Sequence, residues 1–419
     1  MTFEPFNLHQ DISAAIIEQG YTSPTPIQEK SIPHILNKRD VLGLAQTGTG
    51  KTAAFVLPLL QQLMHGPRRK VRALILAPTR ELAAQIHETI NSLGQHTRLR
   101  SAVIFGGVSM EPQIKTLTRG VEIVVACPGR LLDHMSRGNI NLSALEILVI
   151  DEADRMFDMG FLPDIRRIVK QLPIKRQNLL FSATMPDDIR RLSADMLNDA
   201  VTVQIDHKKP VASISHVLYP VEQHLKTALL KELLNRTETD SVLIFTRTKH
   251  RAKRLAEQLC SSGLTATSLQ GNLSQNQRQH AIEGFRNGSY KILVATDIAA
   301  RGIDVSAITH VINYDMPDTA ESYTHRIGRT GRVSRTGEAF TFVTNEDTSM
   351  AYAIECILGA AVEQKTLPGF DYKKPRAKVP FQAARPAQQR QRGARPATQT
   401  PVRSKRRAGD SYRTQISAR

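Results

Sequence analysis

What most constrains this chain is a series of short, mostly apolar segments separated by stretches of helical periodicity. Val71–Ala77, Val121–Cys127, Leu145–Ile150 and Asn178–Phe181 come first, and after a gap Ser241–Thr246, Lys291–Thr296, His310–Asn313 and Ala339–Val343. They are rich in Val, Ile and Leu and lack strict apolar/polar alternation, as strands covered on both faces of a parallel sheet do. Between them lie helical patterns such as Glu81–Leu93 and His250–Cys260. Strand–helix alternation of this kind predicts α/β domains with parallel central sheets. A chain of 419 residues exceeds one ordinary domain of roughly 100–200 residues, so two domains are expected. The pattern breaks near Asp206–Ser215, where His207-Lys208-Lys209-Pro210 reads as a linker. Domain one is then 1–206 and domain two 216–364.

The remainder differs in composition. From Lys365 to Arg419 there are 15 Lys and Arg against two acids, Asp371 and Asp410, so most of the net charge of +17 sits there. Rich in Arg, Gln, Ala and Pro, this tail has too little apolar surface to offset its ordering entropy and is expected to be disordered. Its charge suits a polyanion, most often nucleic acid, although a solvated tail that only aids solubility has the same composition. The apolar runs fall well short of the roughly 20 residues of a membrane span, and the N-terminus lacks the pattern of a secretory signal. Cys127, Cys260 and Cys356 are dispersed and unpaired in sequence. That argues against a disulfide framework or zinc site and fits a reducing, cytoplasmic setting.

Two local motifs carry chemistry. Ala45-Gln46-Thr47-Gly48-Thr49-Gly50-Lys51-Thr52 follows an apolar stretch and opens a helix expected at Ala53–Met64. This is a phosphate-binding loop. Gly48 and Gly50 let backbone N–H groups turn toward phosphate oxygens, alongside Thr47 and Thr49, and the helix N-terminus adds its positive end. Lys51 supplies charge to the β- and γ-phosphates, and the Thr52 hydroxyl can ligate Mg²⁺. Ala45 stands where the general pattern has Gly. Asp151-Glu152-Ala153-Asp154 follows Ile147–Ile150. A carboxylate at the tip of a buried strand is where such NTPases place their metal-binding acid, so Asp151 is assigned to Mg²⁺ and Glu152 to the attacking water.

These residues resemble the DEAD-box family of ATP-dependent RNA helicases, within superfamily 2. Asp151–Asp154 spells the family's signature. Upstream, Gly20–Gln28 resembles its Q motif, with Phe6 as the preceding aromatic. Pro78-Thr79-Arg80-Glu81-Leu82, Gly106-Gly107, Pro128-Gly129-Arg130 and Ser182-Ala183-Thr184 follow in family order. Leu243–Thr246, Gln270–Arg278, Ala295–Asp304 and His325–Arg332 complete the set. The resemblance covers about residues 3–345, and its wording looks most like the bacterial RhlE-like subgroup.

The resemblance implies two tandem RecA-like domains using ATP and Mg²⁺ to act on RNA. Gln28 would read adenine, Phe6 would pack on the base, and Asp304 would hold the ribose. Phe6 also reads as a plain core aromatic. Arg329 and Arg332 would act as arginine fingers, and Ser182, Thr184 and His325 would couple hydrolysis to domain closure. RNA would be held without base specificity by Pro78, Thr79, Arg80, Gly107, Gly129 and Arg130, and by Gln275, Arg278, Thr296, Asp297, Arg301 and Gly302. Cys127 departs from the Thr usual before Pro-Gly-Arg and is assigned no contact. The expected activity is RNA-stimulated ATP hydrolysis with local unwinding of short duplexes, and the tail could reach RNA or ribonucleoprotein partners. A DNA-translocating helicase and an ATP-gated RNA clamp are the alternatives.

Overall fold

A computed structural model describes residues 2–46, 48–205, 214–237, 239–300, 308–330 and 337–375. The described residues form two sheets with every pairing parallel. In the first lobe the strands are β1 (Val41–Leu44), β2 (Ala73–Leu76), β3 (Ser101–Ile104), β4 (Ile123–Ala126), β5 (Ile147–Ile150), β6 (Gln177–Ser182) and β7 (Val201–Gln204), in the order β3-β4-β2-β5-β6-β1-β7. In the second they are β8 (Ile214–Pro220), β9 (Val242–Phe245), β10 (Ala266–Leu269), β11 (Ile292–Ala295), β12 (His310–Asn313), β13 (Gly337–Val343) and β14 (Glu363–Gln364), in the order β10-β11-β9-β12-β13-β8-β14. Each strand of the second sheet takes the place of the strand seven earlier, so the lobes share one topology. Because all strands are parallel, the loops that follow them gather at one end of each sheet. The loops that precede them gather at the other.

Packing explains the sequence pattern. Along β2, Ala73 and Ile75 enter one apolar core while Leu74 and Leu76 enter the core on the opposite face. Along β9, Val242 and Ile244 face one core, and Leu243 and Phe245 the other. A strand with both faces covered needs apolar side chains at every position, and each buried Leu, Ile or Phe contributes about 1.5–3 kcal/mol. Gly43 on β1 pairs with Phe181 on β6, and a Cβ there would lie 2.4 Å from the Phe181 ring. The ring therefore lies across the glycine, against Phe55 of the helix Lys51–Leu63.

Several boundaries differ from expectation. The helix after the phosphate loop begins at Lys51, not Ala53. The strands β3, β7, β8, β10 and β14 were not anticipated. Ser101–Ile104 is only half buried, Ala266–Leu269 is half polar, and Val201–Gln204 and Glu363–Gln364 are largely exposed edges. The linker expected to end at Ser215 is already strand from Ile214, while 206–213 lie outside the described residues. Disorder expected from Lys365 does not describe the first residues of that segment. Lys365 N donates to Leu218 O at 2.9 Å, and Leu367, Phe370 and Tyr372 pack on the second lobe's core. Arg236 holds Pro368 O at 2.6 Å and His224 meets Lys374 O at 2.8 Å. Residues 376–419 lie outside the described residues. No described helix is long and apolar enough to cross a membrane.

Candidate nucleotide and nucleic-acid sites

The phosphate loop leaves the end of β1, its backbone turned by Gly48 and Gly50, which hold φ of +87° and +92°. Gly50 caps the helix Lys51–Leu63, and a Cβ on it would come 2.6 Å from Gln28 Nε2 and 2.8 Å from Thr25 Oγ1. Only glycine fits both the conformation and the space. Gln28 ties its segment to the loop: Nε2 donates to Gly50 O at 3.0 Å and Oε1 accepts from Thr25 N at 2.9 Å. One N–H and one lone pair of that amide remain for a ligand. Lys51 arches back to donate to Ala45 O at 2.8 Å, and Thr49 Oγ1 donates to Gln46 O at 2.8 Å. Phe6 is buried in the first lobe's core beside Phe3, at 5.9 Å between ring centroids.

Asp151 stands at the tip of β5, 2% exposed. Burial pushes its carboxyl up from an ordinary 3.8 to about 6, with neighbouring Lys51 pulling the other way. Among the described residues no group of three or more His, Cys, Asp or Glu side chains could hold a metal ion. A divalent cation here would take one carboxylate, a hydroxyl, phosphates and water, the pattern of Mg²⁺. Thr52 and Asp151 fit that pattern. Glu152 adopts a left-handed φ of +53° and is ion-paired with Arg155. Burial would raise its carboxyl, but Arg155, Lys51 and Arg329 together hold it below the usual range. It therefore stays ionised.

Asp154 closes the other side of this cluster. Its Oδ2 accepts from Ala183 N (3.1 Å), Thr184 N (2.9 Å) and Thr184 Oγ1 (3.0 Å). Ser182 Oγ accepts from Asp154 N at 3.2 Å and donates to Thr184 O at 2.7 Å. The ends of β5 and β6 are thereby locked together beside the phosphate loop.

A second constellation lies at the ends of β2, β3 and β4. Gly107 has φ +75°, and a Cβ there would overlap the Arg80 guanidinium at 2.1 Å. Arg130 donates to Val108 O at 3.1 Å. Two guanidinium groups and a side-chain-free turn thus converge on one spot, suited to a phosphate. Gly129 is open, with nothing within 4 Å of where its Cβ would be. Pro78 and Thr79 are buried. The Thr79 hydroxyl accepts from Leu82 N at 3.2 Å and caps the helix Arg80–Leu93. Cys127 holds the corresponding cap of the helix Pro128–Ser136 without a side-chain bond. Burial pushes its thiol up to about 12.

Comparison with known proteins gives the same picture. Residues 25–192 match the DEAD/DEAH box helicase family and residues 225–334 the helicase conserved C-terminal domain. The chain is 42% identical over 371 residues to the DEAD-box ATP-dependent RNA helicase CshA of Geobacillus kaustophilus, spanning 88% of this chain and 79% of that protein. It is 41% identical to the DEAD-box ATP-dependent RNA helicase RhpA of Helicobacter pylori, spanning 82% and 70%. The chain belongs to the DEAD-box family of ATP-dependent RNA helicases. Among solved structures, S. cerevisiae Dbp5 bound to RNA and ADP BeF3 superposes with a TM-score of 0.75 at 32% identity, covering 87% of this helicase and 94% of that chain.

The helicase's second lobe brings its own cations to the first. Arg329 is buried, and its charge acts on Glu152 across the lobes. His325 is lowered, first by burial and then by Arg155. Arg278, expected on RNA, pairs with Glu81 of the first lobe, with Nε and Nη2 each 2.7 Å from Oε1. Gln275 meets Arg80 at 3.5 Å. The Asp297 carboxylate, also expected on RNA, is turned inward to Arg326, with two bonds of 2.6 Å. Thr296 is half-buried at the end of β11. Thr47, Arg301, Gly302, Asp304 and Arg332 lie outside the described residues.

Sequence reasoning missed three residues. Arg155 holds Glu152, and Asp154 organises Ser182 and Thr184. Arg326, 3% exposed, grips Asp297, Asn313 Oδ1 (3.1 Å) and Asp315 O (2.8 Å). Arg155 directly follows the Asp151–Asp154 signature, and Arg326 lies within His325–Arg332. Their partners, though, are set by the fold.

Proposed function

We propose that this helicase hydrolyses ATP when RNA draws its two lobes together, and that closure locally separates short duplexes. The observation that carries the reading is that Arg329, from the second lobe, is buried near enough to Glu152 in the first for its charge to help Arg155 and Lys51 hold that carboxyl below its usual range. Lys51 and the backbone N–H groups of the loop hold the β- and γ-phosphates. Thr52 and Asp151 hold Mg²⁺, which when bound neutralises phosphate charge. Glu152, kept ionised by its cations, orients the attacking water. As the water oxygen bonds to the γ-phosphorus and the bond to ADP breaks, Arg329 and Arg332 stabilise the charge on the transferring group. Such a finger is worth about 10³–10⁵ in rate. Gln28 and Phe6 serve the adenine and Asp304 the ribose.

The Asp154 network carries the state of the phosphate site to Ser182 and Thr184, with His325 facing it from the other lobe. RNA lies along Pro78, Thr79, Arg80, Gly107, Gly129 and Arg130, and along Gln275, Thr296, Arg301, Gly302 and the backbone of Asp297. These groups reach phosphates and sugars, so binding is independent of sequence. Arg278 acts through Glu81 by pinning the closed form. The fit to a structure whose own ligands are RNA and ADP BeF3 supports this arrangement.

The basic tail adds non-specific RNA affinity or reaches ribonucleoprotein partners, and the protein works in the cytoplasm. On motif wording we place it with the bacterial RhlE-like members, beside relatives named CshA and RhpA. Steady-state ATP hydrolysis should rise with single-stranded RNA, stay low with matched DNA, and vanish in Glu152→Gln. Equal stimulation by DNA would sink the RNA reading. Stimulation without duplex separation would make it a clamp.

A further inference from the structure

The first lobe carries cations at the end of its sheet that faces away from both sites described above. Arg69 and Lys70 precede β2, Arg100 precedes β3, and Arg119 precedes β4. Strands four residues long rise roughly 13 Å, which separates this end from the phosphate loop. One buried carboxylate draws the three segments together. Glu122, 1% exposed, accepts from Arg69 N at 2.5 Å and Arg100 N at 2.8 Å. Gly120, at φ +80°, lets Arg69 close on the third segment, since a Cβ there would lie 2.5 Å from Arg69 Cβ. Glu122 thus has its oxygens on backbone donors. The neighbouring Glu146 is taken by Arg72, at 2.6 and 3.0 Å. The side chains of Arg69, Lys70, Arg100 and Arg119 are exposed. Among the described residues none of them forms an ion pair.

We propose that this face is a second RNA-binding surface, which grips the phosphates of a folded helix while the cleft holds a single strand. Two features favour RNA over an acidic protein. The cations stand on a rigid base, the starts of three adjacent strands, suited to a fixed row of phosphates. A protein interface is anchored by aromatic or large apolar side chains. None of the exposed large apolar residues lies in segments 68–72, 98–100 or 117–121. The inference rests on the family's RNA activity, but not on any residue of the cleft.

The test is the salt dependence of RNA binding by the full chain, measured with a short single strand and with the same strand joined to a stable hairpin. Wild-type protein should bind the hairpin-bearing RNA with a slope of log K on log salt steeper by about 3–4, for about four further phosphates. Arg69→Asn, Lys70→Gln, Arg100→Gln and Arg119→Gln combined should remove that increment, close to 100-fold in affinity between 50 and 200 mM salt. Asn suits the left-handed φ of +58° at Arg69. RNA-stimulated ATP hydrolysis with the short strand should be unchanged, which reports intact folding and an intact cleft. Equal wild-type slopes for the two RNAs would overturn the proposal without reference to any variant. So would an unchanged slope in the variant, or an equal loss on the short strand. Binding of an acidic peptide to this face, with the RNA slopes unaltered, would reassign it to a protein partner.

Discussion

Arg278 and Glu81 give the sharpest test of how the lobes communicate, because an RNA contact and an interlobe pin predict different double mutants. The pair is 2.7 Å apart with side chains 12% and 7% exposed. Both groups regain water when the lobes part, so the pair acts on closure rather than on the stability of either lobe. A charge-assisted bond of this kind is worth about 1.5–3 kcal/mol. Leaving either partner buried alone costs at least as much. Taking about 2 kcal/mol, each single substitution, Arg278→Ala or Glu81→Ala, should weaken closure about 30-fold. The double variant should be no worse, with a coupling of about 2 kcal/mol. The assay is the affinity for a short single-stranded RNA with ADP-beryllium fluoride, against the affinity with no nucleotide. The nucleotide-free affinities should stay within a few-fold. Additive losses, or a Glu81→Ala variant that binds like wild type, would refute the pin and return Arg278 to the RNA.

Four further outcomes follow from named contacts. Asp151 has a raised folded pKa, so protonation favours the nucleotide-free fold, and that contribution is lost as pH rises from about 4 to about 6. Conversely, Mg²⁺ binding needs the ionised form, so affinity for Mg·ATP should fall below pH about 6 by about tenfold per unit, more steeply than the decline that protonation of its own terminal phosphate gives Mg-free ATP; calorimetry of both would decide. Asp154→Asn disrupts the carboxylate oxygen that accepts from Ala183 and Thr184, and should lower kcat by about 30-fold or more with the KM for ATP within a few-fold; a kcat near wild type would show the network is not needed for turnover. Cys127→Thr should supply the missing cap and stabilise the first lobe by about 0.5–1 kcal/mol, read as a rise in Tm. In the wild type, Cys127 should react with thiol reagents more slowly than Cys260 and Cys356, because burial keeps its thiol protonated.

The sequence by itself determined whatever is local. The phosphate loop is eight consecutive residues whose glycines are needed by backbone conformation, and Asp151 follows an apolar strand immediately. The central strands were legible because a strand covered on both faces must be apolar throughout. The edge and half-polar strands were not, because four residues such as Ala266–Leu269 owe their state to a paired neighbour rather than to their own pattern. Only the tertiary structure decided the partners of charged side chains. Arg278 reaches a carboxylate 197 positions away, and Arg326 reaches one 29 positions away. It also decided the common strand order of the two lobes, which shows in the pairing and not in any repeated wording, and the basic face, assembled from three loops by one buried glutamate. The physical reason is range: backbone geometry and burial act within a few residues, whereas ion pairs act wherever folding brings charge to charge.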